Sequence, residues 1–218
     1  MEAEYGIKQV KITFPEGLTT EEMGNILSRA LPDFDSSAFN FLTKEKEGYL
    51  FPDTYFFHIN ATSSEIINRM EENFLTRTND LKKQAEESGQ KWEDIVIVAS
   101  LLEEESATEK DHKIVSGIIW KRLKMNMPLQ IDATLGYITG KGSLELTVDD
   151  LHSDSPYNTY THRGLPPTPI SNPGISTLTA ALYHETSPYL YYLSDNNGVI
   201  HYAKTFEEHK LNKDRYLR

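Results

Sequence analysis

The sequence contains no cysteine, which excludes thiol nucleophiles, cysteine-ligated metals and disulfide clamps and leaves the redox compartment unmarked. It is also short of basic residues: 22 Lys and Arg stand against 33 Asp and Glu, a formal net charge of -11. Nucleic acid or an anionic membrane surface calls for clustered cations, so a polyanionic partner is excluded. Long apolar runs are missing as well. No stretch reaches the roughly 18 consecutive apolar residues of a membrane span, and no basic-then-apolar leader follows Met1. The expectation is a soluble chain, or a soluble piece of an anchored one. At 218 residues there is room for one large domain or two small ones around a genuine core.

What is present reads as α+β, with a smaller first part and a larger second one. Ile7 to Phe14 alternates apolar and polar as a strand does, and Pro15-Glu16-Gly17 turns it into a helix that Thr19 or Thr20 can cap. Helical periodicity runs through Met23, Ile26, Leu27 and Ala30 and stops at Pro32. The aromatic stretch from Gly48 to Phe57 has two readings: a core segment at a subdomain junction, or a sugar-stacking surface. Ser64 to Glu87 reads as an amphipathic helix burying Ile66, Ile67, Met70, Phe74 and Leu81, ended by Ser88-Gly89. The boundary is placed there, giving a mixed N-terminal subdomain over 1–88 and a second domain over 89–218.

Chemistry enters with Ala99-Ser100-Leu101-Leu102-Glu103-Glu104-Glu105-Ser106, an apolar helix pattern ending in three carboxylates. At 100° per residue, Ile95, Val98, Ala99 and Leu102 form one stripe. Glu105 falls on its edge beside Val98 and Leu101, Glu104 projects almost opposite, and Glu103 lies on the other flank. A carboxyl held against aliphatic side chains has its charged form disfavoured and its pKa raised, which keeps a proton donor loaded near neutrality. Ser106 and Thr108, each with an acid three residues on, offer caps for a following helix through Ile114, Val115, Ile118, Ile119 and Leu123. A break at Glu105 is therefore expected, presenting the carboxyl at a cleft. Taken alone, a triple glutamate at a helix end is more often a solvated cap than a catalyst, and periodicity does not overturn that.

Two later segments supply polar groups. Leu129 to Thr134 places Gln130, Asp132 and Thr134 on alternate positions, where they line a cleft or, for Asp132, cap a turn. Tyr157, Asn158 and Tyr160 then lead into a stretch stiffened by Pro166, Pro167, Pro169 and Pro173, a preformed loop of the kind that carries binding groups, or a turn-rich connector with core tyrosines. Arg163 either meets a substrate carboxylate or is solvated. Tyr189 to Leu193, the turn at Asn196-Asn197-Gly198 and His201-Tyr202-Ala203 read as a hairpin with one core face. No histidine pair has zinc-motif spacing, and neither metal nor organic cofactor is expected.

Four blocks taken together resemble the YceG-like (MltG) family of endolytic murein transglycosylases. They are Gly48 to Tyr55, Ala99 to Ser106, Leu129 to Thr134, and Tyr157-Asn158-Thr159-Tyr160 continuing through Gly164-Leu165-Pro166-Pro167 to Asn172-Pro173-Gly174. The resemblance implies a helical catalytic core bearing the acid, with a small antiparallel sheet near the C-terminus. It maps the family's catalytic glutamate onto Glu105; where the family commonly has Lys between its two glutamates, this chain has Glu104. Tyr157, Asn158 and Tyr160 are the candidates for cradling the N-acetyl group and the leaving sugar. The resemblance also implies cleavage of peptidoglycan glycan strands to 1,6-anhydro ends. The family's usual order places residues 1–88 after a LysM-like module. The parent would then face the wall from the cytoplasmic membrane, through an anchor absent from this chain and near wall synthases. Two rival functions stay open: a hydrolase pairing Glu105 with Asp132, Glu103 or Asp154, and a non-catalytic wall-binding scaffold.

Overall fold

The computed structural model describes residues 8–105 and 108–217. Ile7, at the start of the expected strand, and Ser106, one of the expected caps, lie outside them. The described chain runs β1 (Gln9–Thr13), α1 (Thr20–Ala30), α2 (Ser36–Thr43), β2 (Thr54–His58), α3 (Ser63–Glu87), α4 (Trp92–Glu105), α5 (Glu109–Lys124) and α6 (Asp132–Thr139). A short 3-10 turn at Ser143–Glu145 leads to α7 (Val148–Leu151), α8 (Ile175–Leu182), β3 (Tyr191–Ser194), β4 (Ile200–Ala203) and α9 (Phe206–Tyr216). The fold is α+β: helices around a central one, with one two-stranded antiparallel sheet in each part.

The local signals act as their chemistry requires. Thr19 caps α1 and exchanges hydrogen bonds with Glu22, and Thr62 does the same with Glu65 ahead of α3. β1 pairs with β2 across more than forty residues of chain, with Ile12 opposite Tyr55 and Val10 opposite Phe57. Leu50, Phe51, Tyr55 and Phe57 are buried, so the aromatic stretch is core; of its rings only Phe56 points to solvent.

Two apolar cores result. The first joins β1, β2, α1 and α2 through residues such as Phe14, Met23, Leu27 and Phe39, and the second surrounds α4. Helix α3 serves both, giving Ile66, Ile67 and Met70 to the first and Phe74 and Ala85 to the second. The stripe expected on α4 understates its burial, because every residue from Ile95 to Leu102 is buried, Ser100 included. A helix apolar all round is a central helix, and α3, α5, α6 and α8 all pack against it.

A polar junction ties the two parts. Asn172 is fully buried; its Oδ1 accepts from the Gly48 and Leu50 amides, each at 3.0 Å, and its Nδ2 donates to Leu18 O at 3.0 Å and Glu47 Oε1 at 2.8 Å. Glu47 also accepts from the Thr20 amide at 3.0 Å and from the Tyr137 hydroxyl at 3.4 Å. Gly48 is required here: its φ is +86°, and a Cβ would sit 2.5 Å from Pro169 Cγ. Burial pushes the Glu47 pKa from 4.5 up to about 7, against donors that pull it down. Because the folded-state value lies above the unfolded one, the stabilisation it gives is present in full below about pH 4.5 and is lost as pH rises through about 7. That loss amounts to about 3 kcal/mol at 1.36 kcal/mol per unit. Calorimetric melting of the wild type and Glu47→Gln between pH 5 and 8 should show a steeper fall in Tm for the wild type.

Candidate active site

The three glutamates at the end of α4 meet three different environments. Glu103 turns toward α8, where its Oε2 accepts from the Gly174 amide at 3.1 Å and the Thr177 hydroxyl at 2.6 Å. Gly174 has no side chain with which to cap α8, so a carboxylate from another helix meets the exposed amide and the positive end of the dipole. Glu104 has part of its side chain in solvent, but its carboxyl lies beside Gly17 and Ser171, where burial raises its pKa. Glu105 is the last residue of α4 and sits between α5, α6 and β3.

Glu105 keeps part of its surface accessible, yet its carboxyl is dehydrated enough that the pKa rises from 4.5 to about 7. Burial is the largest cause, and the like charges of Asp132 and Glu104 act in the same direction. Lying at the negative end of the α4 dipole also disfavours the carboxylate. Two groups oppose the rise: the Tyr192 hydroxyl, which donates to the carboxyl, and the Arg122 guanidinium. The expected break falls on residues 106 and 107, outside those described, and the extended backbone of Thr108 separates the two helices. α4 stops at Glu105, and α5 restarts with Thr108 as its cap, its hydroxyl accepting from the Asp111 amide.

Of the other residues singled out by the sequence, the structure brings Asp132 and Tyr160 to the acid. Asp132 is in the first turn of α6, and its carboxylate accepts from the Tyr160 hydroxyl instead of capping the helix. Burial, then this bond and the charges of Asp132 and Glu105, hold the Tyr160 phenol above its ordinary range. Tyr157 is half-buried, its hydroxyl 2.7 Å from Thr168 Oγ1 and its ring centroid 5.4 Å from that of Tyr137. Gln130 is exposed on a left-handed backbone, φ 55°, and its amide bonds to Thr159 O. Thr134 and Asn158 are fully buried. Thr134 donates to Ile131 O. The Asn158 amide donates to Leu151 O and Ser153 O and accepts from the Tyr160 amide, so its visible work is to hold the loop. Arg163 is exposed and donates to Asn126 O. Among the described residues no group of three or more His, Asp or Glu is arranged to hold a metal ion.

Sequence reading missed Tyr192 and Arg122, although both left traces. Arg122 falls seven residues after Val115 and four after Ile118, on the buried face of α5, where a charge needs a reason. Tyr191 and Tyr192 are adjacent in a strand, so one must face inward, and a buried phenol needs a hydrogen-bond partner.

Removing the Glu103 carboxylate should cost about 1–3 kcal/mol for two charge-assisted bonds. Glu103→Ala is thus expected to melt roughly 2–10 °C lower at this chain length. Glu103→Gln, which keeps an acceptor, should lose less than half of that in the same calorimetric comparison.

Comparison with known proteins gives the chain's relatives. The chain is 37% identical over 219 aligned positions to the endolytic murein transglycosylase of Bacillus subtilis (strain 168), covering 99% of this chain and 60% of that protein. It is 31% identical over 192 positions to the endolytic murein transglycosylase of Streptococcus pneumoniae serotype 2, covering 85% and 34%. It therefore spans between about a third and three fifths of these relatives. A crystal structure of a YceG-like protein from Listeria monocytogenes superposes with a TM-score of 0.83 at 30% identity, over 92% of this chain and 75% of that one. A model of the YceG-like family matches residues 2–215, from before β1 to the end of α9, and on this evidence the chain belongs to that family.

Proposed function

We propose that this chain is the catalytic part of a lytic endotransglycosylase that cleaves the β-1,4 bond between N-acetylmuramic acid and N-acetylglucosamine in peptidoglycan glycan strands. The observation that carries the reading is the Glu105 carboxyl, whose pKa of about 7 makes it a donor and an acceptor at the same working pH. Protonated Glu105 gives its proton to the glycosidic oxygen as the C1–O4 bond breaks, leaving the glucosamine 4-hydroxyl free. The resulting carboxylate takes the proton of the muramyl 6-hydroxyl as that oxygen closes on C1. Atoms balance without water: one bond to C1 is lost, one is formed, and the acid ends as it began.

Asp132 and Tyr160 lie beside the acid and are assigned to the reacting sugar, with Tyr157 and Gln130 along its flank and Arg163 beyond them toward a lactyl or peptide carboxylate. Thr134 and Asn158 fix the segments that present these groups. The relatives' names support peptidoglycan as substrate, and a wall substrate supports work on the outer side of the cytoplasmic membrane. Wall synthases are the proposed partners of the whole protein.

One observation favours a second reading. Asp132 is near enough for its charge to raise the Glu105 pKa, so it is the candidate second carboxylate of a hydrolase. The product decides. Digestion of uncrosslinked glycan should release fragments lighter by one water than those with a reducing muramic end; reducing ends would establish the hydrolase instead. Glu105→Gln should lower turnover by about 100-fold or more, and its Tm at pH 8 should equal or exceed that of the wild type because no buried charge is left to dehydrate. Appreciable anhydro product from this variant would refute the assignment.

A further inference from the structure

We infer that Arg122 and Tyr192 are positioning residues of this site: Arg122 fixes strand β3 against α5, and β3 delivers the Tyr192 hydroxyl that orients the Glu105 carboxyl and stabilises it once its proton has left. The inference rests on Glu105 being the acid and base of the reaction.

Arg122 is 6% exposed, and its guanidinium is engaged on several sides. Nε donates to Leu190 O at 2.8 Å and Nη1 to Leu129 O at 2.6 Å, so one planar group joins the entrance of β3 to the entrance of α6. Its carbon lies 5.0 Å from the centroid of the Tyr191 ring. Leu190 and Tyr191 immediately precede Tyr192, so the strand is gripped at the two residues before the phenol that reaches the acid. Lys121 reinforces the grip by donating to Ser187 O and Tyr189 O, and the Tyr202 hydroxyl of the paired strand donates to Asp111 Oδ1 at 2.6 Å. Tyr192 faces Tyr202 in the β3–β4 register, so the whole hairpin is docked on α5.

The charged and titratable groups facing Glu105 come from every element around it: Glu104 from its own helix, Arg122 from α5, Asp132 from α6, Tyr160 from the loop and Tyr192 from β3. Asp132 and Glu104 favour the protonated acid. Tyr192 and Arg122 favour the carboxylate. A group that must act first as acid and then as base needs both sets, and the hairpin and α5 together supply the one that α4 cannot.

The test compares variants expected to move in opposite directions. Tyr192→Phe keeps the ring and deletes the donor. The alkaline limb of its kcat/KM profile for anhydro-product release should move up by about one pH unit, the scale of one hydrogen bond to a charged group. Its kcat should fall about 10- to 100-fold, with KM within about threefold. Asp132→Asn removes a like charge, and its limb should move down. The ionisation of the Glu105 carboxyl itself, followed by NMR of carbon-labelled glutamate in each folded variant, should shift with the same two signs. If Tyr192→Phe melts too low for assay, 3-fluorotyrosine placed at position 192 in the full chain gives a stronger donor and should move the limb down. Profiles that stay put, or that shift the same way in Tyr192→Phe and Asp132→Asn, would overturn the inference. The outcomes separate two failures: anhydro product from Glu105→Gln sinks the acid assignment itself, whereas an inactive Glu105→Gln beside an unmoved Tyr192→Phe profile sinks only the role given to the hairpin.

Discussion

Dehydration of one carboxyl at the end of a buried helix is the constraint from which the rest of this structure follows. A side chain at the last turn of a helix normally reaches water, so keeping Glu105 dry requires α4 to be enclosed along its length and its end to be covered by other elements. The unbroken burial from Ile95 to Leu102 meets the first requirement. The convergence of α5, the start of α6 and β3 meets the second. Full enclosure with no compensating donor would drive the group far toward permanent protonation; the phenol and guanidinium beside it hold it at an intermediate point.

That convergence is built from polar rivets more than from apolar contact. Ser100, in the middle of α4, accepts from the Ile170 amide, and its carbonyl accepts from the Ser171 hydroxyl. Asn172 follows at once and fastens the same proline-rich loop to the first core. Thr159 binds the Ile131 amide and so sets where α6 begins, which in turn sets where Asp132 points. Each rivet is a buried side chain satisfying backbone groups that no helix or sheet serves, and removing one strands its partner. The prolines add stiffness, while the asparagine, serine and threonine side chains add the address.

Legibility in the sequence divided along a physical line. Features governed by neighbours within a few residues could be read: the cap at Thr19, the amphipathic α3, the break between α4 and α5, the hairpin with Gly198 at φ +77°. That the three glutamates would meet different environments also followed from helical geometry, though not what each would meet. Features governed by distant contacts could not. Nothing local to Tyr192 announces a carboxyl 87 residues earlier in the chain, nothing near Glu103 announces that it caps α8, and the pairing of β1 with β2 spans the whole first core. Asn158 and Thr134 show the converse limit: polar residues in a functional-looking motif can be wholly occupied in shaping the loop that displays their neighbours.

Glu103 gives α4 a property that helix ends rarely have. Terminal turns fray, because their last carbonyls lack partners and nothing opposes local unwinding. Here the carboxylate two residues before the acid is fastened to the opening turn of α8, so the terminal turn of one helix and the first turn of another can loosen only together. The reactive group is thereby seated on backbone with little angular play, and a proton handed over at one position can be retrieved at the same position a moment later.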